Sequence, residues 1–293
     1  MPRATVHDAH RHLGVLPPHP FYGMSPLQAD TTARATVAEL LADLDAEGTE
    51  RALVIPNYGV PKAELAFRFN DLVLEAAATD DRVRAGLWVS PRPEDLAHTR
   101  AALAQAGQDG VVALKISFLL GGAPDDPACA PVLDEVFAAA RRHGLVVHVH
   151  TSPGAASDVD RVATLVDRYA DDTRLHLVHL GGGMSGHMKL VGGRFFDWIE
   201  AGKQVYTDCS WAIGFAPRWL AAEVERRGVG ADRVLFASDQ PWGDFEGELV
   251  RMTAACGDGE LSRLWLRDNF TSLYDSVPND SPRTARTAHL ETA

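Results

Sequence analysis

The chain has 293 residues, 46% hydrophobic and 23% charged, a composition that suits an enzyme-sized globular protein with a sizeable core. Its formal net charge of −12 argues against nucleic acid or an anionic membrane surface as the main partner. Cys129, Cys209 and Cys256 are odd in number and widely spaced, so they imply neither a disulfide framework nor a thiolate zinc site.

Short β-branched runs alternate with longer Ala/Leu-rich helical patterns along the chain. The first run, 5–12, ends in His10 and His12. Side chains two apart on a strand share a face, so the two imidazoles stand side by side at a spacing that one divalent metal can bridge. The loop 14–32 follows, with five prolines or glycines before Pro26 and aromatics at Phe21 and Tyr22; its length suggests an active-site lid. Helix 36–47 and strand 51–56 lead to Asn57 and Tyr58. Helix 62–79 and strand 83–90 lead to Arg92, and helix 94–106 leads to strand 111–117, which carries Lys115 and is followed by Phe118. After helix 131–143, strand 145–151 holds a second His-x-His, His148 and His150. After helix 158–170, strand 175–180 carries His179 at its end and runs into a glycine-rich loop ending at His187. Helix 194–201 precedes strand 204–210, which carries Asp208 and is followed by Trp211. Helix 217–227 precedes strand 234–238, which delivers Asp239 and then Gln240-Pro241-Trp242. Helices 245–256 and 259–274 complete the pattern, and the polar tail from Pro278 is expected to be flexible.

Eight βα units in a chain of this length favour a closed α/β barrel of the (β/α)8 TIM type over an open doubly wound sheet. The expected division is one barrel with a C-terminal helix over 1–277 and a flexible tail over 278–293. In such barrels catalytic residues gather at the C-terminal ends of the strands. His10, His12, His150, His179 and Asp239 would then converge on one mouth as a nitrogen and oxygen site for zinc, iron or manganese. His148 should face inward one layer deeper, as an orienting or core histidine or as an extra ligand. Lys115 reads as a carboxylated ligand, a substrate-binding cation or a lysine salt-bridged across the barrel. His187 reads as a substrate or second-metal contact or as a solvated loop residue. Trp211, Arg92, Asn57 and Phe118 follow strands and are substrate-contact candidates by position, while Asp208 could orient a ligand.

The N-terminal His-x-His, His150-Thr151, His179-Leu180-Gly181-Gly182, the run from Phe236 to Trp242 and the late segment from Leu266 to Tyr274 together resemble the amidohydrolase-related (amidohydrolase 2) branch of the amidohydrolase superfamily. The resemblance implies a divalent metal, zinc before iron or manganese, held by His10, His12 and His150 or His179. Asp239 would be both ligand and general base, with His179 as a further catalytic residue. The implied activity is a hydrolase or lyase acting on a small carbonyl or carboxylate substrate through a metal-activated water, decarboxylation included. Lys115, His148 and His187 are the departures that would complete a second metal site. With two irons the chain would also resemble the TIM-barrel nonheme diiron monooxygenases of natural-product pathways, many of which act on coenzyme A-linked intermediates. A catalytically silent barrel is disfavoured because all five ligand positions are kept. The start lacks the long apolar stretch of a signal peptide, and no run of about 18 apolar residues occurs, so a cytoplasmic protein with a small-molecule substrate is expected, with a homodimer as an option.

Overall fold

The computed structural model describes residues 5–15, 34–57 and 63–276, so all but the start of the expected lid at 14–32, Tyr58 and the tail from 278 lie outside the described residues. Eight parallel strands pair in sequence order: β1 Val6–Leu13, β2 Thr49–Pro56, β3 Val83–Trp88, β4 Val111–Ile116, β5 Val146–Val149, β6 Leu175–Leu177, β7 Val205–Asp208 and β8 Val234–Leu235. Around them run α1 Val37–Glu47, α2 Ala63–Arg68, α3 Asn70–Thr79, α4 Leu96–Leu103, α5 Ala130–His143, α6 Val159–Tyr169, α7 Gly183–Lys189, α8 Phe195–Glu200, α9 Ala216–Arg227, α10 Phe245–Cys256 and α11 Glu260–Arg263. The expected TIM barrel is the observed architecture. No helix among the described residues is long and apolar enough to cross a membrane.

Local chemistry explains the boundaries. Thr36 and Glu39 form a reciprocal capping box at the start of α1, and Asp158 and Asp244 cap α6 and α10 through their side chains. Along α6, Val159, Val162, Ala163, Val166 and Tyr169 recur at helical spacing and are buried against the barrel. Where one helix was expected over 62–79 there are two, α2 and α3, separated at Phe69. The last four strands are shorter than their apolar runs, because the chain leaves the sheet early to enter the loops of the mouth. His179 and Leu180, expected in a strand, instead take left-handed φ values of 65° and 49°.

β8 and the segment after it close the barrel onto β1. Ala9, Asp239 and His12 donate backbone N–H groups to the carbonyls of Phe236, His10 and Gln240 at 2.9, 2.8 and 2.9 Å. Interior packing is tight enough that Gly86 admits no side chain, since a Cβ there would lie 2.6 Å from Ile55 Cγ2. The lower barrel is apolar and plugged from below by Phe270, Leu273 and Tyr274, which pack with Leu53, Ile55, Val112 and Leu235. Above this plug the interior turns polar, with buried His10, His12, Lys115, His148, His176, Asp208 and Asp239. TIM-barrel interiors are normally filled by branched apolar side chains, so this stack marks the functional end.

Candidate metal centre

Barrel closure sets the site. The bond from the Asp239 amide to the His10 carbonyl and that from the His12 amide to the Gln240 carbonyl clamp the β8 loop across the end of β1. Asp239 takes a left-handed φ of 53°, a conformation that costs a non-glycine residue about 1 kcal/mol or more and persists where the surroundings enforce it. Its Oδ1 lies 3.0 Å from His12 Nε2 and 3.1 Å from His10 Nε2, and its Oδ2 lies 4.0 Å from His179 Nε2. Donor atoms of His10, His179 and Asp239 all lie within 4.8 Å of one another. The His150 ring stands 5.0 Å from that of His179 and lines the same opening.

Hydrogen bonds behind the rings assign their protons. His12 Nδ1 faces the Pro56 carbonyl at 3.1 Å. A carbonyl only accepts, so in the neutral ring Nδ1 carries the hydrogen and Nε2 turns a lone pair toward Asp239. For His179 the chain of inference is longer. Burial works against charge on Asp208, yet bonds from His176 and Ser210 and the nearby His179 hold its carboxyl down to about 2. The Asp208 carboxylate accepts the Ser210 hydroxyl at 2.5 Å, which leaves Ser210 Oγ to accept His179 Nδ1–H at 2.8 Å. His179 Nε2 therefore also presents a lone pair to the mouth. Burial lowers the pKa of His179, and lowers those of His10 and His150 well below the ordinary value, with the positive charge of Lys115 acting in the same direction. These are neutral imidazoles, the protonation state a metal requires. Both His10 ring nitrogens and His150 Nδ1 are buried with no hydrogen-bond partner among the described residues. The His12 lone pair aimed at a carboxylate 3.0 Å away, beside the orphaned His10 and His150 nitrogens, fits a divalent cation bound among His10, His12, His179 and Asp239, with His150 at its edge.

Beneath lies a second polar layer. Lys115 Nζ is 3.1 Å from His148 Nδ1, and burial pushes the lysine down to about 7. The His148 ring stands edge-on to both His10 and His176, at 4.6 and 4.7 Å between centroids. His176 Nε2 lies 3.0 Å from Asp208 Oδ2, and its Nδ1 accepts the Tyr274 hydroxyl at 2.6 Å. Sequence reading missed Ser210, His176 and Tyr274. The inward-facing parity of Ser210 with Asp208 was the one signal available for them.

Four expected roles need correction. His187 is turned away from the other donors: its Nδ1 donates to the Leu180 carbonyl at 2.8 Å and its Nε2 accepts the Ile213 amide at 3.1 Å, which uses both nitrogens to join two loops. Asn57 is buried behind the mouth, its side chain spent on Trp242 Nε1 and the Gly14 carbonyl. Phe118 is packed in the core, and Arg92 is turned to Glu94 and the Leu120 carbonyl. Among the substrate-contact candidates the structure brings Trp211 to the cleft. That cleft, about 470 Å³, is lined by His12, His150, His179 and Asp239 at its base and by Leu119, Pro153, Trp211 and Trp242 on its walls.

Several solved structures share this barrel. A 2,6-dihydroxybenzoate decarboxylase from Rhizobium superposes with a TM-score of 0.66 at 18% identity, covering 92% of this chain and 99% of that one. A probable 2-pyrone-4,6-dicarboxylic acid hydrolase from Acinetobacter baumannii gives 0.60 at 15% identity, with the same 92% and 99% coverage. A 5-carboxyvanillate decarboxylase from Novosphingobium aromaticivorans with bound manganese gives 0.64 at 16% identity, covering 92% and 97%. No curated protein matches the chain in sequence. At these identities the structures establish the fold, whereas the amidohydrolase family model matches residues 7–274, from β1 to the helical segment that plugs the barrel. The chain belongs to the amidohydrolase family.

Proposed function

We propose that the protein is a metal-dependent hydrolase or lyase acting on a small carbonyl or carboxylate compound. The observation that carries this reading is the approach of His12 Nε2 to Asp239 Oδ1 at 3.0 Å while His12 Nδ1 is committed to the Pro56 carbonyl. His10, His12, His179 and Asp239 would hold one divalent ion, and the histidine-rich donor set favours zinc. When bound, such an ion supplies Lewis acidity, lowering the pKa of a water and polarising a carbonyl or carboxylate oxygen. Asp239, which lines the opening, is placed to take a proton from a water there and pass it to a leaving atom. His179, fixed through Ser210, keeps Nε2 unprotonated beside it as a donor to that ion. Decarboxylation belongs to the same reading, with Asp239 passing to carbon a proton that it takes from a water. The structural neighbours, two decarboxylases and a probable hydrolase of carboxylated rings, support that range.

A two-iron oxygenase would need a second donor set. Engagement of both His187 nitrogens and the pairing of Lys115 with His148 support one ion instead. Metal analysis after loading with zinc, manganese or anaerobic iron, followed by turnover of lactones and aromatic carboxylates, tests the reading. One ion per chain with oxygen-independent turnover is expected; two irons per chain with oxygen consumption would overturn it.

A further inference from the structure

The segment after β7 carries a feature that metal binding does not explain. Trp211 is 54% exposed and takes a left-handed φ of 58°, although tryptophan gains from burial and disfavours that backbone. Three side chains on two helices hold it there. The Trp211 amide donates to Glu248 Oε1 at 3.1 Å, and Arg251, paired with Glu248, donates to the Ala212 carbonyl at 3.0 Å. The Ile213 amide donates to buried His187 Nε2 at 3.1 Å. Glu248 is itself buried, so a carboxylate has been taken out of water to support the strained turn. The fold thus fixes a large aromatic face at the edge of the cleft in a place where packing does not reward it.

The opposite walls share its chemistry. Leu119, Pro153 and Trp242 are apolar, and Gly182 and Gly183 keep the rim low, since a Cβ on Gly182 would meet Ser152 Cα at 2.7 Å. Trp242 is held by its indole N–H on Asn57. Among the described residues no lysine or arginine lines the cleft, and their charged and imidazole groups gather at the metal centre at its base. A small di- or tricarboxylate would leave its second carboxylate against hydrocarbon there.

We infer that Trp211 is a substrate platform and that the substrate has a broad, planar apolar body with a single carboxylate or carbonyl head. The head placement rests on the metal-dependent reading above; the platform does not. Calorimetric titration of the zinc-loaded full chain with acetate, benzoate, 2-naphthoate and naphthalene-2,6-dicarboxylate is the first arm. The affinity of 2-naphthoate should exceed that of benzoate and that of the dicarboxylate by about tenfold each. Trp211→Ala should weaken 2-naphthoate about tenfold while leaving acetate binding and metal content unchanged, and Trp211→Phe should restore most of the loss. Tighter binding of the dicarboxylate, or an equal effect of Trp211→Ala on acetate and naphthoate, would overturn the inference. The second arm uses metal-free protein and uncharged 2-naphthol. A Trp211-dependent affinity there supports the platform even if the chain binds no metal, and its absence in both arms rejects it.

Discussion

Asp239 stands within about 4 Å of three imidazoles, and the bonds behind His12 and His179 turn their protons away from it, so its effect on stability should reverse with metal occupancy. In metal-free protein, Asp239→Asn places an amide N–H against the lone pair of His12 and should stabilise the fold by about 1 kcal/mol. In metal-loaded protein the same change removes an anionic ligand and should weaken zinc binding roughly a hundredfold. Urea denaturation with and without zinc reads both signs, and the same direction in both states would contradict the assignment of the lone pairs. His187→Ala should leave the metal content at the wild-type value by elemental analysis, because both of its nitrogens serve the loops. Glu248 carries a pH dependence. Burial raises its carboxyl from 4.5 to about 7, against the pull of Arg251 and the Trp211 amide. Between those values the folded chain holds more protons than the unfolded one, so stability declines as pH rises through the window. Glu248→Gln cannot ionise and should show a flatter stability profile from pH 5 to 7.

At the scale of elements, α7 meets the His179 turn without any intervening side chain. A Cβ on Gly186 would collide with the Gly181 carbonyl, backbone on both sides, and Gly181 already sits at φ 82°. Gly186→Ala should therefore cost about 3 kcal/mol and displace His179, visible as a lower melting temperature together with weaker metal binding. A change confined to melting would separate the helix contact from the site. The C-terminal helical segment acts from the other end of the barrel. Tyr274→Phe leaves buried His176 Nδ1 without its donor, for a loss of about 1–3 kcal/mol in denaturant unfolding. These contacts also explain two misread boundaries. The apolar run at 175–180 has strand periodicity, but the turn that aims His179 at Asp239 takes left-handed backbone at its last two residues. The run at 62–79 has one helical pattern, but it breaks at Phe69, and Asn70, which opens the second helix, bonds through its side chain to the Trp88 backbone.

Across the whole molecule, a site assembled from β1, β6 and β8 exists only when the barrel is closed, so metal occupancy should report on global folding. A ligand at a thousand times its Kd adds about 4 kcal/mol to a folded state that alone binds it. Chelation should accordingly lower the melting temperature by several degrees, and an unchanged value would place any bound metal outside the closure. The strand count, the parallel barrel and the clustering of His10, His12, His179 and Asp239 at one mouth were legible in the chain, because strand parity and βα alternation are local properties that the barrel simply repeats. The use of each donor was not. His187 and His179 look alike in sequence, and what separates them is whether a backbone amide, here that of Ile213, arrives from a distant loop to occupy the second nitrogen. Asn57, Arg92 and Phe118 likewise follow strands as Trp211 does, yet neighbours from other elements draw them away from the cleft while Glu248, Arg251 and His187 hold Trp211 beside it. Periodicity determined which residues share a face and an end of the barrel. Hydrogen-bond competition between distant segments, as in the bonds between Ser238 and Asp8, 230 residues apart, decided which of them remain free for chemistry.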